Sequence, residues 1–210
     1  MRPRAGASTR NHRISRNAMA SKPGERRTQI LQTLAEMLEQ PRAARITTAA
    51  LAARMHISEA ALYRHFASKA QMFEGLIEFI ETSIFTLINQ ITTAEQQGLN
   101  QARGIARMLL SFAERNRGMT RVLTGDALVT EDHRLLDRIN HVNDRIEASF
   151  KQCIRVAVSD GDLPGDTDLA AYGSLLTHYV LGSWLRYTQS GWRVAPSAHA
   201  EAHLRGLLSK

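Results

Sequence analysis

The sequence predicts an all-α protein. Apolar residues recur at helical spacing along most of its 210 residues, and no sustained alternation of Val, Ile and Thr marks a strand. Proline is scarce, at 5 residues, while Ala, Leu, Arg, Gln and Glu dominate. The chain is long enough for one large or two small domains, and a hydrophobic content of 43% supports a real core.

Taken in order, residues 1–23 carry six basic side chains and no acid, which reads as a disordered basic tail. Such a tail either adds phosphate attraction or is a solvated extension, and Met19 offers an alternative start. From Gly24 the pattern turns helical. Ile30, Leu31, Leu34 and Leu38 share one face, and Pro41 closes this first helix. Thr47 or Thr48 caps a second helix through Leu51, Ala52 and Met55. Ser58 caps a third that runs on through His65, and Ser68 caps a long fourth over 69–91. A linker with Gly98 leads to a fifth helix over 101–116. Gly118 interrupts before a sixth over 120–128, and a seventh covers 131–158. The stretch SDGDLPGDTD, 159–168, is the clearest loop, and two further helices cover 169–189 and 197–208.

The charge is distributed unevenly. The net +7 divides into +6 for residues 1–23, +3 for 24–70 and −2 for 71–210. Any surface that meets nucleic acid is therefore expected in the first third. The segment 46–73, ITTAALAARMHISEAALYRHFASKAQMF, has the parts of a helix-turn-helix: two short helices, capping hydroxyls at both starts and a tight turn at Met55-His56-Ile57. Ala49, Ala50, Ala52 and Ala53 are the small residues expected where the helices cross. The third helix is short and small-sided, which suits a major groove. Ser58, Glu59, Ala60, Tyr63, Arg64 and His65 are its expected exposed residues, with Thr47, Thr48 and Lys69 beside them for phosphate. Glu59 is the awkward member, because DNA repels a carboxylate unless it accepts from a cytosine amine. A plain helical hairpin with Tyr63 and Phe66 in the core is the alternative.

LYRHFASKAQMF resembles the hallmark of the TetR-type regulators. The resemblance implies an all-α dimer in which three N-terminal helices, 24–68, bind double-stranded DNA at a palindromic site and the rest, 69–210, forms a dimerising body. ITTAALAA, ISEAALYRHFASKAQMFEGLIEFIE and FAERNRGMTRVLTGDAL narrow it to the branch of that family that acts in nucleoid occlusion, tying DNA binding to inhibition of the division protein FtsZ. That match covers most of 24–150 and fades beyond the SDGDLPGD loop.

Ordinary members of the family release DNA when the body binds a small molecule, whereas the occlusion branch needs a surface for a protein tail. On the fourth helix Phe73, Leu76, Ile77, Ile80, Ile84, Leu87, Ile88 and Ile91 form the core stripe. Phe79 lies well off it, with Met72 near. On the fifth, Met108, Ser111 and Arg115 flank the stripe of Ile105, Leu109 and Phe112. An off-stripe aromatic, a Met and an Arg suit a partly apolar, partly acidic peptide such as the FtsZ C-terminal tail; the alternative is that Phe79 packs on the seventh helix. The ERNRGMTR match adds Asn116 and Arg121 to the expected partner residues. Leu169, Tyr172, Gly173, Leu176, Val180, Trp184 and Leu185 suit a four-helix dimer interface or packing within one protomer.

No catalytic constellation emerges: there is no phosphate-cradling glycine loop, nucleophile elbow or paired carboxylates in a cleft. His199 and His203 have metal spacing but no third ligand, so no metal or cofactor is expected. The single Cys153 excludes an internal disulfide and sits on an apolar face. With no secretory signal and no run long enough to span a bilayer, the expected location is cytoplasmic and nucleoid-associated.

Overall fold

The structure, a computed structural model, describes residues 23–40, 46–129 and 131–209. The expected basic tail lies outside them except for Pro23, as does Pro41. Every regular element among the described residues is helical. In order these are α1 (Pro23–Leu38), α2 (Thr48–Arg54), α3 (Glu59–Tyr63), α4 (Lys69–Ala94), α5 (Gly98–Arg115), α6 (Arg117–Leu123), a 3-10 turn (Asp126–Leu128), α7 (Arg134–Ser159), α8 (Leu169–Gln189) and α9 (Ala200–Leu207).

The short N-terminal helices form because their first N–H groups find oxygen partners. Thr47 Oγ1 accepts from Ala50 N at 3.1 Å, and Ser58 Oγ accepts from Ala61 N at 3.2 Å. Ser68 Oγ accepts from Gln71 N at 3.1 Å, while Gln71 Oε1 accepts from Ala67 N at 2.9 Å, a reciprocal cap at the start of α4. His56 takes a left-handed φ of 55° to turn the chain between α2 and α3. Of the four alanines expected at the crossing, Ala52 alone is buried; Ala49, Ala50 and Ala53 face out.

One hydrophobic core runs without a break from Ile30 through Ile77, Leu109 and Val142 to Leu208. The expected boundary at 68/69 is therefore no gap in the packing. α1 packs on α4 and α6 as well as α2, and the largest packing surface joins α7 to α8. Fully buried Trp184 anchors α8 and donates Nε1–H to Leu109 O at 3.1 Å. Leu176, Val180 and Trp184 are thus used inside the protomer rather than at an interface. The outer face of α8 presents Leu175 and Leu185. Cys153 is fully buried on α7, and burial pushes its thiol up to about 11.

Two expectations about glycine fail for the same reason. Gly98 is no linker residue but the first of α5: a Cβ there would lie 2.2 Å from Cys153 O. Gly118 does not interrupt a helix but sits inside α6, where a Cβ would lie 1.8 Å from Ala35 O. Both permit helices to touch at backbone distance, which a sequence pattern cannot distinguish from a break. The break between α5 and α6 falls at Asn116 instead, with φ −131° and ψ 59°.

Gly118→Ala should destabilise the fold by about 1–3 kcal/mol, since α1 has to move off α6 to admit the methyl group. Gly165→Ala, with open space around it, is the control. Urea unfolding followed by circular dichroism reads both, and equal midpoints would refute the close approach.

Candidate DNA-reading face and partner groove

The DNA-reading candidates gather on one side of the N-terminal helices. Thr47, Ser58, Glu59, Ala60 and Tyr63 are exposed, as is Arg64, which closes α3. Tyr63 is 45% exposed and Phe66 1%, so the plain-hairpin alternative holds for Phe66 only. Glu59 has an internal role. Its Oε2 accepts from Thr48 Oγ1 at 2.6 Å, and Tyr63 Oη reaches the same Thr48 hydroxyl at 3.5 Å. The carboxylate thus ties the start of α2 to α3 and fixes the angle between them. His65 lies past the end of α3 and is half-buried; its carbonyl accepts from Arg27 Nη1 at 3.2 Å. Arg27 also stacks on Phe66 at 4.2 Å, which holds α1 to the base of the reading unit. Lys69 is the least available candidate: its Nζ lies 2.5 Å from Glu131 Oε1, so a phosphate would have to compete with that carboxylate.

The second site is a groove on the opposite flank of α4. Phe79 is half-buried and lines a cavity of about 530 Å³ with Phe112, Asn116 and Met119. Other residues of α4 face α7. Phe85 lies on that side, beneath Arg145 at 3.8 Å, and Glu81 pairs with Arg138 and Arg145. α4 and α5 run side by side: a Cβ on Gly104 would meet Ile91 at 3.1 Å at one end, and Phe79 meets Phe112 across the cavity at the other. Between these ends α4 offers Leu87, 36% exposed against the core position expected for it, and α5 offers half-buried Met108. Met72, expected beside Phe79, is buried in the core.

Ser111 and Arg115 pair with each other, Arg115 Nη2 donating to Ser111 Oγ at 2.6 Å, on either side of the lining residue Phe112 in the chain; neither lines the cavity itself. Asn116 lines the cavity and donates Nδ2–H to Phe112 O at 2.8 Å. Arg121 does not join this surface. It is 9% exposed and donates from Nη1 to Leu38 O and Gln40 O, each at 3.2 Å, with Asp126 Oδ2 2.5 Å from its Nε. Its work is to satisfy the last carbonyls of α1. Trp192, in a left-handed conformation, adds a hydrogen bond from Nε1 to Glu39 O at 2.9 Å.

Sequence reasoning missed the wall of the cavity built by α1: Gln32, Ala35, Glu36 and Glu39. Glu36 is on the polar face of α1 and Glu39 just past its end, and nothing in that local pattern distinguishes open solvent from a groove. The described residues that line the cavity thus include two carboxylates and no cation, so the groove is not a basic one. The His199 and His203 rings lie 5.9 Å apart, tilted by 58°, and no group of three metal-binding side chains occurs among the described residues.

Two family models cover most of the described chain. The bacterial regulatory proteins of the tetR family match residues 30–76, and the SlmA-like, tetracyclin repressor-like C-terminal domain matches residues 96–209. The nucleoid occlusion factor SlmA of Marinomonas sp. (strain MWYL1) is 50% identical over 178 residues, 85% of this chain and 90% of the relative. That of Vibrio cholerae is 49% identical over 181 residues, 85% and 91% respectively. The chain belongs to the SlmA nucleoid occlusion factors of the TetR family. The SlmA likeness thus extends past the 159–168 loop, where the short motifs had faded. Among solved structures, the fatty acid degradation regulator FadR from Bacillus halodurans superposes with a TM-score of 0.75 at 12% identity, covering 90% of this chain and 97% of that one. A TetR-family regulator from Bordetella parapertussis gives 0.65 at 16%, covering 87% and 94%. At such identities they show the shared fold alone. No helix among the described residues of this SlmA-family chain is long and apolar enough to cross a membrane.

Arg121→Met should lower stability by about 2–4 kcal/mol, because it leaves buried α1 carbonyls and Asp126 without their donor. A thermal melt at unchanged midpoint would return Arg121 to the list of free surface cations.

Proposed function

We propose that the chain reads a palindromic chromosomal site as a homodimer through α3 and, once on DNA, holds the FtsZ C-terminal tail in the α4/α5 groove. Assembly of the division ring is thereby blocked over the nucleoid, in the cytoplasm. The observation that carries this reading is Phe79. A large aromatic side chain sits outside the core stripe of α4 and lines an open groove together with Phe112 and Asn116, the chain neighbours of exposed Arg115.

The DNA half of the proposal rests on the short α3 and its exposed edge. Ser58, Ala60, Tyr63 and Arg64 face out together, with Thr47 at the start of α2. Ala49 and Ala60 keep that surface low enough for close approach to base edges. Arg64 is the natural phosphate partner, and Lys69 is reserved in part for Glu131. Glu59 supports the unit through Thr48 rather than by touching a base.

The dimer half rests on the outer face of α8. Leu175, His178, Gly182 and Leu185 fall at three- and four-residue spacing and are exposed. Apolar residues with a glycine between them suit a helix from a second copy. The centre of the body, where a conventional repressor would keep its inducer, is filled by Ile80, Leu109, Ile146, Phe150, Val180 and Trp184, all fully or almost fully buried. That packing favours a protein ligand on the surface over a small ligand inside.

Two measurements test the halves separately. Arg64→Ala should weaken binding about equally on specific and random duplexes and lower the salt slope by about one, as loss of one phosphate contact requires. Phe79→Ala should keep DNA affinity and cut DNA-dependent inhibition of FtsZ polymerisation by roughly tenfold or more in dose, the loss expected for a central aromatic anchor. Wild-type inhibition by the Phe79 variant would overturn the groove assignment.

A further inference from the structure

The cavity beside Phe79 has an acidic wall that the proposed function does not use. Glu36 lies in the last turn of α1 and Glu39 in the turn just past its end, where Glu39 N donates to Glu36 O at 3.1 Å, and both residues line the cavity. Both are exposed, and among the described residues no cation pairs with either. Phe79, Phe112 and Met119 line the same cavity as the two carboxylates. Arg115 follows the lining residue Phe112 by three positions and precedes Asn116, and its guanidinium donates to Ser111.

The cavity therefore sets two carboxylates beside an apolar floor. A ligand segment that satisfies both carries an apolar side chain with a base near it. We propose that Glu36 and Glu39 dock a Lys or Arg of the bound partner segment, a few residues beyond the apolar side chain seated on Phe79. This rests on the groove reading above and adds the part of the site that selects for a base. Two carboxylates aimed at one ammonium or guanidinium above an apolar floor hold it better than a single exposed pair, because water is partly excluded from one side. An acidic side chain placed there would instead meet two like charges, so the wall selects against it.

The test uses the full chain bound to its DNA and a labelled synthetic peptide of the FtsZ C-terminal tail, with affinity read by fluorescence anisotropy. Glu36→Gln/Glu39→Gln should weaken binding several-fold and Glu36→Lys/Glu39→Lys about tenfold or more, the differences shrinking as salt rises. Melting temperature and DNA affinity should be no lower than wild type. A peptide whose Lys and Arg are replaced by Glu should bind the Lys pair better than the unmodified peptide does. Should the Lys pair fold poorly, the Gln pair and a peptide with Lys and Arg changed to Gln carry the same comparison. If Phe79→Ala loses the peptide while both Glu pairs keep wild-type affinity, the acidic wall plays no part and this inference is wrong. If Phe79→Ala also binds as wild type, the groove reading itself fails and the inference falls with it.

Discussion

The molecule turns on the seating of α1 against α6. Gly118 gives up its side chain so that α6 can reach Ala35 O, and Arg121 and Trp192 take the carbonyls of Leu38, Glu39 and Gln40. Helix ends leave carbonyls without partners, and a buried one costs as much as a lost hydrogen bond. Here the end of a helix in the DNA-reading unit is completed by donors from the body. The two functional halves are thus joined by hydrogen bonds as well as by continuous apolar packing.

That junction explains how so short a reading helix stays in place. α3 has five residues, too few to hold itself in water. It is held by its Ser58 cap, by Leu62 in the core, by the Thr48–Glu59 bond and by the seat of Phe66 beneath Arg27. On the proposed reading face a carboxylate is a cost in DNA affinity. Its hydrogen bond to Thr48 shows what is gained, which is a fixed angle between α2 and α3.

Much of this was legible in the sequence, and the limits have physical causes. Caps at Ser58 and Ser68, the bounds of α8 and the core stripe of α4 from Phe73 to Ile84, with Ile88, follow from local pattern and hydrogen-bond demand, and the structure has them. Arg121 was misread because a cation inside a family motif carries no mark of whether its guanidinium meets solvent or a helix end 83 residues away. Gly98 and Gly118 were misread because close approach and chain break call for the same residue. Leu87 was placed in the core because periodicity reports a face, while the partner helix decides how much of that face is covered. Glu36 and Glu39 were invisible because a solvated face and the wall of a groove have the same composition.

α1 and α4 are the elements that belong to both proposed sites. α1 carries Arg27 under the reading unit at one end and the acidic wall at the other; α4 begins beside α3 at Ser68 and carries Phe79 two to three turns on. The carbonyls at the groove end of α1 are fixed to α6 and to the loop after α8, so that end cannot shift alone without breaking those bonds. Movement that DNA imposes on the reading unit would have to pass into α1 as a tilt about this fixed end, or into α4 through its cap. Either route alters the spacing between Glu36 and Phe79, which lie on different helices across one cavity. A partner segment that touches both walls senses that spacing directly, whereas a ligand held by the α4/α5 face alone does not. Dependence of partner binding on DNA is thus a property that a two-walled groove can have and a one-sided patch lacks.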